Sequence, residues 1–269
     1  MCQIYNNCFY RDVIDITLSI AAAVAYGVAP LVYRPALQCT NQFRAMSVFS
    51  TYSILLGLLL PWDGASLDGV LSAAAAALFG GVLGSWLYVT AVKIGGAAVG
   101  NISSSLYVVL LPIAAGKLAL IPAALLVLLG SAIASSYDVV AKRGAFYGVV
   151  AAFVWTGSIM LYASAVRALG PGGALFTRGV IVLLATLLLG FNKPLCEAWR
   201  LVVGGFIDTF IGFGAYTSAI FYGDYVSATL IMSSYPLISA LLEKPFMWRR
   251  VAGALAAVAG LVLVALTNK

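Results

Sequence analysis

The residue of this sequence best placed to do chemistry is Asp208, which interrupts the apolar run LVVGGFIDTFIGFGAY at 208 − 201 = 7 residues past its start. An ionisable side chain within such a run is costly and faces a bundle interior or an aqueous cavity. At 1.5 Å per residue it lies roughly 10 Å along its helix. A desolvated carboxylate there binds a cationic substrate group or a coupling proton, or serves as a structural ion-pair partner.

Two arginines offer the opposite charge. Arg44 and Arg178 stand near the heads of apolar runs, where a long side chain snorkels to the interface, gates a cavity or holds a substrate carboxylate. The runs are also rich in aromatic residues: Tyr26, Tyr33, Trp86, Tyr88, Tyr107, Trp155, Tyr162, Tyr216 and Tyr235. Interfacial belts use such residues. Tyr26 and Tyr33, like Trp155 and Tyr162, are seven apart, so each pair shares one helix face able to line a cavity.

Two polar stretches complete the candidates. Asn101, Ser103, Ser104 and Ser105 precede Pro112; Ser227, Thr229, Ser233 and Ser234 precede Pro236. A proline frees a carbonyl of the preceding turn, which with the hydroxyls forms a polar wall, and small hydroxyl residues also permit close helix packing. The candidate cavity set is therefore Tyr26, Tyr33, Tyr88, Asn101, Ser104, Trp155, Tyr162, Asp208, Tyr216 and Ser233, with Arg44 and Arg178 for gating or charge pairing.

Other chemistries lack their residues. The sequence has no His, and Cys2, Cys8, Cys39 and Cys196 form no CxxC pair, so neither a zinc site nor a His-based triad is expected, and no cofactor or metal. No GxxxxGKS phosphate loop is present, which argues against ATP as energy source.

What must position these residues is a membrane bundle. The chain of 269 residues is 63% hydrophobic and 9% charged, whereas a soluble domain carries roughly 25% charged residues. Apolar runs occupy 13–33, 45–60, 70–92, 97–116, 119–136, 146–166, 173–190, 201–221, 225–242 and 250–266. At roughly 20 residues per crossing, they predict an all-α membrane protein of ten transmembrane helices. Several runs are short and adjacent, so nine crossings with a re-entrant segment is the alternative. The net charge of +6 comes from Lys and Arg scattered at run ends, which points to topology rather than nucleic acid. The opening MCQIYNNCFYRD lacks the positive cluster of a secretory leader, so it reads as retained ahead of helix 1.

The halves repeat. AYGVAPLVY (25–33) aligns with VWTGSIMLY (154–162), giving 162 − 33 = 129 for the shared tyrosine. Arg44 and Arg178 align at 178 − 44 = 134, Tyr88 and Tyr216 at 216 − 88 = 128, and Pro112 and Pro236 at 236 − 112 = 124. Ordered matches at nearly constant offset predict a duplication, with repeats at 1–140, after the polar segment 1–12, and 141–269. Five helices per repeat is an odd number, so the second copy enters inverted, and the site falls at the interface between helices 1, 3, 4, 6, 8 and 9.

At this point the residues resemble the EamA-type members of the drug/metabolite transporter superfamily, over nearly the whole chain. SATLIMSSYPLISALLEKPF followed by RRVAGALAAVAGLVLVAL looks like the family's helix 9, acidic turn and helix 10. GAFYGVVAAFVWTGSIMLYASAV resembles its sixth helix, and Arg44 and Arg178 match its arginine at the head of helices 2 and 7. The first half departs: Tyr26 stands where the family has tryptophan, and Lys117, not an acid, follows helix 4.

The resemblance implies a ten-helix, inverted-repeat secondary transporter of small polar metabolites such as amino acids, often exporting, by alternating access. A small-molecule substrate, H+ as coupling ion, a lipid bilayer and a monomer in the plasma membrane are the expected partners and setting. The alternative is an intramembrane enzyme or lipid-handling protein, which needs converging carboxylates; only Asp208 lies well inside a run. A channel would need a filter-like loop or a ring of like groups. Orientation is divided. The resemblance implies both termini inside, yet that arrangement puts 10 basic residues outside and 5 inside, which the positive-inside rule reverses.

Overall fold

Helix ends fall where Asn, Pro and Gly stand in the sequence. In this computed structural model, described for residues 5–114, 121–136, 138–223 and 225–267, every regular element among the described residues is helical. Helix α1 spans Tyr5–Leu37, beginning 13 − 5 = 8 residues before the apolar run does. Its apolar portion is Ile14–Leu37. Helix α2 spans Gln42–Leu59, capped by the Asn41 side chain on the Phe43 amide. It stops at Leu60, whose extended conformation is the one a following proline demands.

Helix α3 is Leu67–Gly95, α-helical at its ends and π-helical over Ala77–Gly84. Helix α4 is Ala97–Ala114, with a turn at Ser105 and Leu106, and α5 is Ile121–Ser135. A continuous helical element, Val139–Gly190, is broken at Gly170 (φ 74, ψ 169). We call residues 139–169 α6 and 171–190 α7. Helix α8 is Ala198–Tyr222, with a π segment at Phe206–Phe213. Helix α9 comprises Tyr225–Met232 and Tyr235–Leu242, and α10 is Trp248–Thr267.

The break at Gly170 has a local cause. Its φ of 74° is open to glycine, and a Cβ there would stand 2.7 Å from the Asp63 nitrogen. The 60–63 loop fills the break: Asp63 N donates to Leu169 O (3.1 Å) and Gly172 N to Pro61 O (2.9 Å).

Among the described residues, five helices are long and apolar enough to cross a membrane: Ile14–Leu37, Leu67–Gly95, Ala97–Ala114, Val139–Gly190 and Ala198–Tyr222. Val139–Gly190, at 52 residues, would run roughly 78 Å if straight, more than twice a hydrocarbon core of about 30 Å. The break divides it. Leu58, Phe153, Leu188 and Trp199 stand exposed on the outer surface, as lipid contact requires and water would not favour. The chain is an integral membrane protein.

Helices pair in a regular pattern. α1 packs along α8, and α6 packs along α3; α2 lies against α7, α5 against α10, and the first part of α4 against the second part of α9. The α5–α10 contact is made of small residues. A Cβ on Gly130 would meet the Gly253 carbonyl at 2.4 Å, and Ala134 and Ala257 flank that contact.

At one end of the bundle, Lys93 Nζ donates to Thr40 O (3.4 Å) and Gln38 Nε2 to Lys93 O (3.1 Å). Cys39 and Cys196 form a disulfide there, tying the α1–α2 turn to the α7–α8 loop. Thr40 Oγ1 reinforces it, donating to Cys196 O (2.9 Å) and accepting from Cys196 N (3.0 Å). Four cysteines allow three pairings, so sequence spacing alone does not select this one.

Candidate substrate cavity

A central cavity of about 150 Å³ opens between the helices, the volume that in a protein core accepts a benzene-sized guest. Its wall is aromatic: Tyr26 and Tyr33 of α1, Phe49 of α2, Tyr88 of α3, Tyr107 of α4, Trp155 and Tyr162 of α6, Phe213 and Tyr216 of α8, Tyr235 of α9. The seven-residue spacings of Tyr26 with Tyr33 and of Trp155 with Tyr162 both deliver two side chains to this one space.

Arg178 and Asp208 also line it. Among the described residues neither belongs to a salt bridge. The Arg178 guanidinium sits over the Phe213 ring, Cζ to centroid 4.3 Å, an arrangement that stabilises a cation while leaving its N–H edge for a ligand. Asp208 Oδ2 accepts from Thr209 Oγ1 at 3.4 Å. In a low-dielectric wall, unlike charges held apart favour a molecule that carries both signs of charge over one that carries a single sign.

The π segments shape this site. Gly80 and Gly81 of the α3 segment and Asp208, Thr209 and Phe213 of the α8 segment all face the cavity. A π turn releases carbonyls from the regular ladder. Side chains bond carbonyls at the α3 segment: Trp155 Nε1 donates to Gly80 O (3.2 Å), Ser85 Oγ to the same oxygen (3.1 Å) and Ser158 Oγ to Ala76 O just before the segment (3.0 Å).

Tyrosine hydroxyls knit the next layer. Tyr88 donates to Asn101 Oδ1, and Tyr216 pairs with Thr229 Oγ1, where 216 − 88 = 229 − 101 = 128. Tyr162 pairs with Thr217 Oγ1 at 2.9 Å.

Several sequence candidates fall outside the cavity lining. Asn101 is fully buried behind it, donating to Tyr26 O (3.1 Å) and to Ser239 Oγ and accepting from Tyr88, so its side chain joins α1, α3, α4 and α9. The Ser103, Ser104 and Ser105 hydroxyls bond within their own helix, donating to the Val99, Asn101 and Ile102 carbonyls. Ser104 also approaches the Tyr235 hydroxyl at 3.4 Å. Ser233 is buried in the turn of α9, and the side chain of Ser227 lies outside the described residues. Arg44 packs on Gly190, away from the cavity that Arg178 enters.

Helices α2 and α7 complete the wall, beyond the six helices expected. Met46, Phe49, Ser50 and Ser53 repeat at i, i+3, i+4 and i+7, the spacing of a single helix face, which was present in the sequence but carried no charge to draw notice.

The comparisons with known proteins agree with this architecture. Residues 142–266 match the EamA-like transporter family, within the half where the sequence resemblance is most specific. A solved crystal structure with 16% identity superposes with a TM-score of 0.68 over 94% of this chain and 96% of its own. At that identity the likeness is one of fold. No curated protein matches the sequence significantly.

Proposed function

We propose that this chain, whose second half belongs to the EamA-like transporter family, is a secondary transporter that moves small zwitterionic metabolites such as amino acids by alternating access. The observation that carries the reading is the pair Arg178 and Asp208, of opposite charge, in one aromatic-walled cavity with no ion pair between them. A carboxylate seats on Arg178 and an ammonium on Asp208, and the small volume limits what lies between.

Ten crossing helices arranged as inverted repeats, 1–140 and 141–269, fit this role. Supporting that division, the π segments start 206 − 77 = 129 residues apart, and the Tyr88–Asn101 and Tyr216–Thr229 bonds recur at 128. The α1–α8 pairing is matched by α6–α3, as a two-fold exchange of the halves requires. Outward transport, proton coupling through Asp208, a monomer and a plasma-membrane setting complete the proposal.

Reconstitution into liposomes with a panel of labelled amino acids tests it. Accumulation driven by an imposed pH gradient and lost in Asp208→Asn is the expected result. Uptake and pH dependence unchanged in Asp208→Asn would remove the carboxylate from the mechanism, and accumulation insensitive to the gradient would replace coupling by facilitated exchange.

A further inference from the structure

One cavity residue has a polar group with nothing to bond. Ser53 of α2 is 0% exposed, lines the cavity, and its Oγ has no hydrogen-bond partner among the described residues. Its neighbour on the same face, Ser50, donates in the ordinary way to Ser47 O at 3.0 Å. Buried hydroxyls are nearly always paired, so an orphan at a cavity wall marks a position whose partner arrives from outside the chain.

The position of Ser53 indicates which part of a ligand that partner is. At this point α2 and α7 touch: a Cβ on Gly179 would stand 2.9 Å from the Ser53 Cβ, and Gly179 follows Arg178 directly. Along α8, Gly205 meets Phe49 and Gly214 meets Leu56, so Ser53 and Asp208 both fall between those two contact levels. Ser53, Arg178 and Asp208 thus form one polar layer within aromatic walls.

We propose that the Ser53 hydroxyl is a specificity-determining substrate contact, hydrogen-bonded to the anionic group that Arg178 attracts. The inference rests on the zwitterion reading above and adds to it a third anchor on a helix outside the expected site. A hydroxyl donates to a carboxylate oxygen while the guanidinium neutralises the charge, and its bond to a neutral amide in the same place is roughly half as strong. The preference for a free carboxylate is then built into α2 as well as α7.

A purely structural serine and a substrate-binding one differ in a measurable way. Removing a buried hydroxyl that pairs with protein destabilises the fold, whereas removing an orphan does not. The test uses full-length protein purified in detergent, with L-alanine and L-alaninamide as probes and Ser53→Ala as the variant. The expected result is a melting temperature equal to or above that of the wild type without ligand, an alanine half-saturation raised about tenfold, and an alaninamide half-saturation raised clearly less. A lowered melting temperature with unaltered alanine binding would assign Ser53 to packing and overturn the proposal. An equal loss for both probes would also overturn it, because the hydroxyl would not be reading the carboxylate. If wild-type protein binds neither probe, the zwitterion reading fails first; if it binds alanine and Ser53→Ala binds it equally well, only the Ser53 contact fails.

Discussion

Arg34 Nη1 donates to Glu243 Oε1 at 2.8 Å, joining the last turn of α1 to the turn after α9. Glu243 is 3% exposed, and its two oxygens also accept the Ala97 and Ala98 amides (3.0 and 2.9 Å) that open α4. Arg250 of α10 lies 3.5 Å away. One carboxylate therefore caps a helix of the first half from a turn of the second and holds arginines of both.

Glu243→Ala should cost about 3 kcal/mol of stability, because it uncaps α4 and leaves two arginines without their carboxylate. Thermal or denaturant unfolding in detergent checks this. Glu243→Gln, which retains hydrogen-bond acceptance without charge, should fall between. A loss below about 1 kcal/mol would mean that solvent already screens the cluster.

Gly170→Ala should destabilise by roughly 1–2 kcal/mol from its positive φ alone, with a further penalty from the Asp63 nitrogen standing 2.7 Å from the new Cβ. Gly157, with no atom within 4 Å of a Cβ, provides the contrast: Gly157→Ala in mid-helix should be neutral or stabilising by up to about 1 kcal/mol. Melting temperatures of the two variants decide.

Asp208→Asn and Arg178→Gln should separate by substrate charge. Each removes a charge-assisted contact worth about 1.5–3 kcal/mol, or roughly tenfold or more in affinity. Competition by an amine and by a carboxylate against a bound zwitterion reads the two apart: the amine should lose potency against Asp208→Asn and the carboxylate against Arg178→Gln. Equal losses of both in both variants would show that the two residues act on the cavity's shape.

Tyr88→Phe strands Asn101 Oδ1 in a buried site and should cost about 1–3 kcal/mol. Tyr216→Phe should cost less, since Thr229 Oγ1 retains its bond to Tyr225 O. Parallel unfolding curves compare these equivalent positions directly.

The Cys39–Cys196 disulfide predicts that its end of the bundle faces an oxidising compartment, which for a protein of the cell membrane is the outside. Impermeant maleimide should label these cysteines in intact cells after reduction, and labelling only after permeabilisation would reverse the orientation. Of the ten basic residues that opposed this arrangement, Arg34 and Arg250 flank buried Glu243 and Arg200 pairs with Glu197 at 2.6 Å. Arg44 packs on Gly190.

Composition and periodicity by themselves determined that this is a helical membrane protein, that its apolar runs are interrupted between 92 and 97 and between 166 and 173, and that Tyr26 with Tyr33, and Trp155 with Tyr162, share a helix face. Those properties depend on local backbone limits and on the cost of charge in hydrocarbon, both of which are written residue by residue. Asp208 and Arg178 were visible for the same reason. Tertiary structure alone decided that Arg178 enters the cavity and Arg44 does not, that Asn101 braces four helices behind the wall, and that Ser53 is left without a partner. Those outcomes turn on which helix lies against which, and on whether another group reaches a given oxygen. A serine looks alike in sequence whether its hydroxyl is bonded in its own helix, as at Ser50, or orphaned one turn later, as at Ser53.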